Sequence, residues 1–301
     1  MGKILEKGSL FPEVLVKELV NEVKGKSSLS ALCGSTPIPF NGMKEFTFSM
    51  DKEVDIVAES GAKSNGGVTL KPRTIVPIKF EYGARVSDEF LLASEEEQVD
   101  ILRSFNEGFA RKLARGFDIA AMHGVNPRTG TASAVVGTNH FDSVVTQVVK
   151  LGGTADARVE AGIALVQGTE NDVTGMVMAP AFRSSLAALT LNSGAKMYPE
   201  LAWGNAPSTL NGLRIESNST LSANGNKDEA IIGDFQNAFR WGYAKEIPIE
   251  IIQYGNPDND TELGDLKGHN QIYIRAEAYL GWGILDGKAF AIIRNEAEPT
   301  E

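Results

Sequence analysis

Apolar residues follow two periods along this chain, and the two rarely mix. Between residues 94 and 123, Leu102, Phe105, Phe109, Leu113 and Phe117 recur at spacings of three and four, which predicts one amphipathic helix. Ser94 followed by Glu95, Glu96 and Glu97 supplies a capping box, with carboxylates where the helix dipole favours them. Glu107 is within reach of Arg103 or Arg111 on the outer face, and Gly124 ends the run. At 1.5 Å per residue this is a rod of roughly 45 Å, longer than an ordinary globular helix. A second, shorter repeat of Leu15, Val16, Leu19, Val20 and Val23 follows Pro12 and stops at Gly25. About three turns of helix are marginal alone, so this one must pack on something else. The strip KGKSSLSALCGSTPIPF that follows has no period and predicts an extended crossing segment.

Period two appears elsewhere. Phe46, Phe48 and Met50 alternate with Glu45, Thr47, Ser49 and Asp51, while Ile78, Phe80 and Tyr82 alternate with Lys79, Glu81 and Gly83. Together they predict a long β-hairpin over 45–87 with one apolar face. Its centre, AESGAKSNGGVTLKPR, is polar and glycine-rich, and such a hairpin does not hold itself up in water. It is either a loose surface loop or a strap laid on a neighbouring subunit. Residues 131–267 mix the periods. ADARVEAGIALVQG and AFRSSLAALTL (opened by Pro180) predict helices, whereas GMVMAP, GLRIES, EAIIGDF and IPIEIIQY predict strands. That is an α/β domain with a small mixed or antiparallel sheet. Residues 268–294, HNQIYIRAEAYLGWGILDGKAFAIIR, return to long strand character, which implies a second domain assembled from discontinuous pieces.

Composition narrows the function. A chain of 301 residues with 42% hydrophobic and 23% charged residues is globular and long enough for about two domains. No apolar run approaches the roughly 18 residues of a membrane helix, and MGKILEKGSLFPE lacks the apolar core of a signal peptide. The one cysteine, Cys33, cannot form an intramolecular disulfide. A net charge of −10 argues against a protein that grips nucleic acid through its phosphates.

Known catalytic patterns fail one by one. GKS at 25–27 resembles the end of a phosphate-binding loop, but the first glycine would fall at Val20. No G-x-S-x-G elbow is present. His123, His140 and His269 show no metal-ligand spacing, and the loop Asp258, Asp260, Glu262 has Leu263 where a calcium loop needs glycine. Asn218-Ser219-Thr220 is a formal glycosylation sequon, and Cys33 has no basic neighbour to activate it. The reading is of a protein without catalytic, cofactor or metal residues.

The order of segments resembles the tailed-bacteriophage major capsid protein family, with the Hong Kong 97-type fold. The resemblance runs through LFPEVLVKELVNEVKGKSSLSALC, VDIVAESGAKSNGG, RVSDEFLLAS, FNEGFARKLARGFDIAAMHGVNPRTG, VMAPAFRSSLAAL, AIIGDFQNAFRWG and NQIYIRAEAYLGWGILDGKAFAII. It implies an α+β chain divided into an N-terminal arm (1–45), an extended loop hairpin (46–86), a spine helix with the first part of a peripheral domain (87–130), an axial α/β domain (131–267) and a peripheral strand return (268–301). It implies hexamers and pentamers closing into an icosahedral shell around double-stranded DNA, in a virion assembled in the bacterial host cytoplasm. The implied partners are other copies of the chain, a portal, a decoration protein and a scaffolding protein. Met1 leads straight into the arm without the scaffolding segment of many relatives, so scaffolding is expected from a separate protein. Intersubunit contacts are expected at Leu15, Leu19, Phe46, Phe48, Met50 and Lys63. Some relatives join subunits by an isopeptide bond from an extended-loop lysine to a neighbour's asparagine. Lys63, or Lys71 farther along, stands where that lysine would sit, and Asn270 is one candidate acceptor, but Gly61, Ser64, Asn65, Gly66 and Gly67 offer nothing apolar to desolvate an amine. An encapsulin-type nanocompartment and a free-standing α/β enzyme are the alternatives.

Overall fold

The computed structural model describes residues 27–92, 95–245 and 249–296, with only the backbone described at 95–97 and 224. The short helix expected over 12–23, with Leu15 and Leu19, and the cap at Ser94 lie outside the described residues. The long helix, α2 (Glu95–His123), follows a one-turn helix α1 (Ser28–Leu32). Along α2 the expected stripe is the buried one: Leu102, Phe109, Leu113 and Phe117 are buried and Phe105 is half-buried. Glu107 and Arg111 pair on the wet side at 3.4 Å. Gly124 stops the helix at φ +68°, where a β-carbon would also run into the ring of His140.

Two sheets flank the helix. The first has β11 (Gln271–Ile284) at its centre, antiparallel to β3 (Ile78–Ser87) on one side. On its other side β10 (Ile249–Ile252) and β9 (Phe239–Lys245) follow one another along its length. The second is six-stranded, in the order β4 (Val148–Val149), β12 (Phe290–Arg294), β8 (Asp228–Gly233), β5 (Gly175–Met178), β7 (Leu213–Ser217) and β6 (Thr209–Leu210). Helices α4 (Ala155–Gln167) and α5 (Pro180–Ala188) pack with it, and the short α3 (Phe141–Val144) sits near the end of α2. Aromatic rings weld helix to sheets. Phe117 meets Trp241 at 5.3 Å and Trp282 at 5.6 Å, and Phe141 meets Phe290 edge-on at 5.0 Å. One apolar cluster therefore runs from α1 through α2 into both sheets.

Four expectations need correction. The strand opposite β1 (Met43–Met50) is β2 (Val68–Ile75), not the segment containing Ile78, Phe80 and Tyr82. That segment is β3, and it pairs with β11. Only Val76 and Pro77 separate β2 from β3, and a proline has no N–H to continue a ladder, so the chain changes partner there. Residues 249–252 belong to the β11 sheet rather than to the α/β domain, with Glu250 opposite Arg275 and bonded to it at 2.7 Å. Conversely β12 leaves the expected strand return and becomes a central strand of the six-stranded sheet. Phe290, Ala291, Ile292 and Ile293 are all fully buried, as a strand covered on both faces requires. Finally, the strip after residue 26 is not wholly extended: it forms α1, then runs alongside β9 through Thr36 N–H to Trp241 O (2.8 Å) and Ile38 N–H to Tyr243 O (3.1 Å).

Candidate assembly surface and its anchoring nodes

The β1–β2 ribbon carries the surface that the fold leaves without a partner. Its register sets Phe46 opposite Pro72, Phe48 opposite Leu70 and Met50 opposite Val68. Directly opposite residues share a face, so one side of the ribbon is apolar from Phe46 to Met50, with the polar pair Lys44 and Thr74 below it. The other side carries Glu45 opposite Arg73, Thr47 opposite Lys71 and Ser49 opposite Thr69. The apolar side lies in solvent: Phe46 is 61% exposed, Phe48 58%, Met50 73%, Val68 57% and Leu70 58%. The five residues from Phe46 to Met50 make this apolar face about 17 Å long. The loop beyond is stitched by Thr69 Oγ1 donating to Asp51 (2.7 Å) and Lys52 Nζ donating to Asn65 O (3.1 Å). It leaves Val54, Ile56 and Lys63 in solvent. Phe46, Phe48 and Met50 thus share one surface, and Lys63 stands apart from it at the loop.

Where the chain enters the described structure it is held by Asp118, fully buried on α2. Its carboxyl group accepts from Ser27 Oγ, Ser28 N (2.9 Å), Leu29 N (3.4 Å), Asn218 Nδ2 (3.1 Å) and Thr220 Oγ1 (3.3 Å). Ser27 also caps α1 by accepting from Ser30 N. The GKS triplet thus ends in a helix cap rather than a phosphate loop, and Asn218 of the sequon is spent on Asp118. Burial pushes Asp118 up to about 6, with the bonds from Ser27 and the backbone of Ser28 and Leu29 opposing it.

A second polar node closes the far end of α2. His123, its last residue, faces Asp142 Oδ2 through Nδ1 (2.9 Å) and Thr220 O through Nε2 (3.3 Å). Asp228, at the start of β8, accepts from Arg294 Nε at 2.6 Å, and Arg294 Nη2 lies 3.7 Å from Asp142 Oδ1. Asn226 accepts from Asp228 N (2.9 Å) and donates to Asp142 Oδ2 (3.0 Å). His123, Asp142 and Asp228 offer ligand atoms within 4.8 Å of one another, a spacing a metal ion could bridge. The chemistry fits a metal poorly, because Arg294 Nε already donates to Asp228 and its guanidinium lies beside Asp142, where a metal cation would add a like charge, while His123 Nε2 faces Thr220 O and Nδ1 lies against both Asp142 Oδ2 and Asn226 Nδ2 (2.8 Å). His123 and Arg294 are the basic groups that face its two carboxyl groups. Burial alone would lower His123, but the bond to Asp142 and the charge of Asp228 outweigh it and raise the imidazole above its ordinary value. Sequence spacing missed this node because its members are 19 and 86 residues apart from one another. The legible signal was at Asp118 alone, a carboxylate inside the apolar run FDIAAM.

The remaining candidates are structural. Cys33 is buried, and desolvation pushes its thiol up to about 11, which leaves it a poor nucleophile. The acidic loop is held by Arg85, which donates to Asp258 (2.6 and 2.8 Å), Asn256 (2.8 Å), Gln271 (3.2 Å) and Gly264 O (2.9 Å). Asn270 lies exposed at φ +51° at the head of β11.

With this architecture in view, a family model described as the phage capsid family matches residues 7–295. The chain belongs to the phage capsid family. The architecture is the Hong Kong 97-type fold, and the protein is a major capsid protein, a structural component of a bacteriophage head shell. A chain of Mycobacterium phage Ogopogo is similar at 31% identity and a TM-score of 0.77, over 90% of this chain and 92% of that one. A chain of Gordonia phage Cozz is similar at 24% identity and a TM-score of 0.75, over 90% of this chain and 87% of that one. The capsid of an empty GTA particle computed with C5 symmetry shares the fold at 16% identity and a TM-score of 0.66, each chain covered to 90%. No curated protein matches the sequence. Family membership places this capsid protein in a shell lattice with copies of itself, within the virion.

Proposed function

We propose that the apolar face of the β1–β2 ribbon is the chief adhesive of the shell: it lies on an adjacent subunit, so that Phe46, Phe48, Met50, Val68 and Leu70 are buried only in the lattice. The observation that carries this reading is that five large apolar side chains gathered on one face of the ribbon are each more than half exposed. On this reading β1, β2 and their loop are the extended loop, and α2 is the spine. The β11 sheet is the peripheral domain, the six-stranded sheet with α4 and α5 the axial domain, and residues 1–26 an arm with Leu15 and Leu19 against a neighbour. The subunits form hexamers and pentamers in the host cytoplasm with a portal, a scaffolding protein and a decoration protein as partners, and the protein performs no catalysis. A net charge of −10 suits a wall along which packaged DNA slides rather than sticks. Phe48→Asp tests it: the variant should melt like the parent, because the residue is already exposed, yet give no closed shells by negative-stain microscopy. Normal shells from Phe48→Asp would refute the assignment.

A further inference from the structure

The node at the end of α2 contains one arrangement that its basic groups do not explain. Asp142 Oδ1 and Asp228 Oδ2 are both buried, and neither has a hydrogen-bond donor. The two carboxyl groups nonetheless lie within hydrogen-bonding reach of each other. Two bare carboxylate oxygens in contact repel, and each forgoes the water it would have bonded. A single proton placed between them removes both defects: it makes one group a donor and the other its acceptor. Asp228 is the group that holds it. Its side chain is fully buried, and Asp142 already has the His123 ring and Asn226 on its other oxygen.

We propose that the Asp142–Asp228 pair is a one-proton binding site that joins the end of the long helix to the six-stranded sheet, and that the joint loosens when the proton leaves. The site sits where four pieces of chain meet: His123 ends α2, Asp142 lies in α3, Asp228 opens β8 and Arg294 ends β12. The groups facing it are few. His123 contacts Asp142, and Arg294 contacts Asp228 and lies near Asp142. His140 stands beside His123 and Asp142 and is lowered by burial, while Glu296 acts at a distance through Arg294. Burial, together with the neighbouring Asp142 charge, pushes Asp228 up to about 6, Arg294 opposing. The folded chain thus keeps a proton that the unfolded chain has lost by about pH 4. That stabilisation is complete below about pH 4, falls as pH rises towards 6 and is gone above it. His123, raised above 6.5, has the same sign, and its contribution is lost at higher pH. Asp142 is lowered and has the opposite sign, its contribution lost only in stronger acid. The joint is therefore tightest in mild acid.

Asp228→Asn is the decisive variant. An asparagine accepts from Arg294 through Oδ1 and offers Asp142 Oδ1 a permanent N–H, so it mimics the protonated carboxyl at every pH. The full chain and the variant are melted between pH 4 and pH 8, with EDTA and separately with 1 mM Zn²⁺ or Mg²⁺. At pH 8 the variant should melt higher than the parent by about 3–6 °C, and the gap should hold down to about pH 6 and then narrow steadily towards pH 4. Because Asp118 titrates in both proteins, the difference between the two curves isolates Asp228. A gap that does not change with pH, or a variant less stable than the parent at pH 8, overturns the proposal. So does a metal ion that raises the melting temperature of the parent but not of the variant, since the ligand would then be a cation. Shell formation is not the readout, so the result stands apart from the assembly reading.

Discussion

Removing the Asp118 carboxylate should release the first described segment of the chain from the long helix. In Asp118→Ala the hydroxyl of Ser27, the amides of Ser28 and Leu29, and the donors of Asn218 and Thr220 lose their common acceptor. The two side-chain hydroxyls can turn to other oxygens, but the two backbone N–H groups are fixed by α1. At about 1–3 kcal/mol for each buried donor left unpaired, the cost is roughly 4 kcal/mol at pH 5. The cost depends on pH in a determined direction. Asp118 is held at about 6 when folded against an ordinary 3.8, so its stabilising contribution is complete at low pH and lost as pH rises through 6. At pH 8 the parent already bears the desolvation of a buried carboxylate, and the loss should shrink to roughly 2 kcal/mol. The variant should therefore melt well below the parent at pH 5 and closer to it at pH 8. Amide exchange should show the location: protection of residues 28–33 should fall by about a thousandfold at pH 5, the equivalent of 4 kcal/mol, while β8 and β12 keep theirs. A variant that melts within a degree of the parent at pH 5, with residues 28–33 still protected, would refute the clasp.

Phe109→Asp sets an unpaired charge at a site 3% exposed, a cost of several kcal/mol, and should yield insoluble protein on expression; soluble capsomers would show that the stripe is not core. Gly242→Ala should lower the melting temperature sharply. Its new β-carbon would overlap the backbone of Thr36, which runs beside β9, and an unchanged melt would mean that residues 36–38 are not held there. Mature particles boiled in denaturing detergent should run as one band near 32.3 kDa, because Lys63 stands in solvent with nothing to desolvate its amine. A ladder of multimers that disappears in Lys63→Ala would show a covalent lattice instead.

The sequence by itself determined the elements whose pattern is local. The three-and-four spacing from Leu102 to Phe117 fixed both the extent of α2 and the side it buries, because helical neighbours are set by bond geometry within a few residues. The alternation of Phe46, Phe48 and Met50 likewise fixed which of these side chains share a face. Only the tertiary structure decided partners. An alternating strand offers the same edge to any strand that reaches it, so nothing local to IPIEIIQY or FAIIR says which sheet each joins. The two-residue break at Val76–Pro77 and the turn after Ile284 made those choices by redirecting the chain. The polar nodes were beyond reach for the same reason. Asp118 meets Ser27 across 91 residues and Arg294 meets Asp228 across 66, and a charge becomes a clasp or a proton site only once folding has brought its partners to it and removed the water.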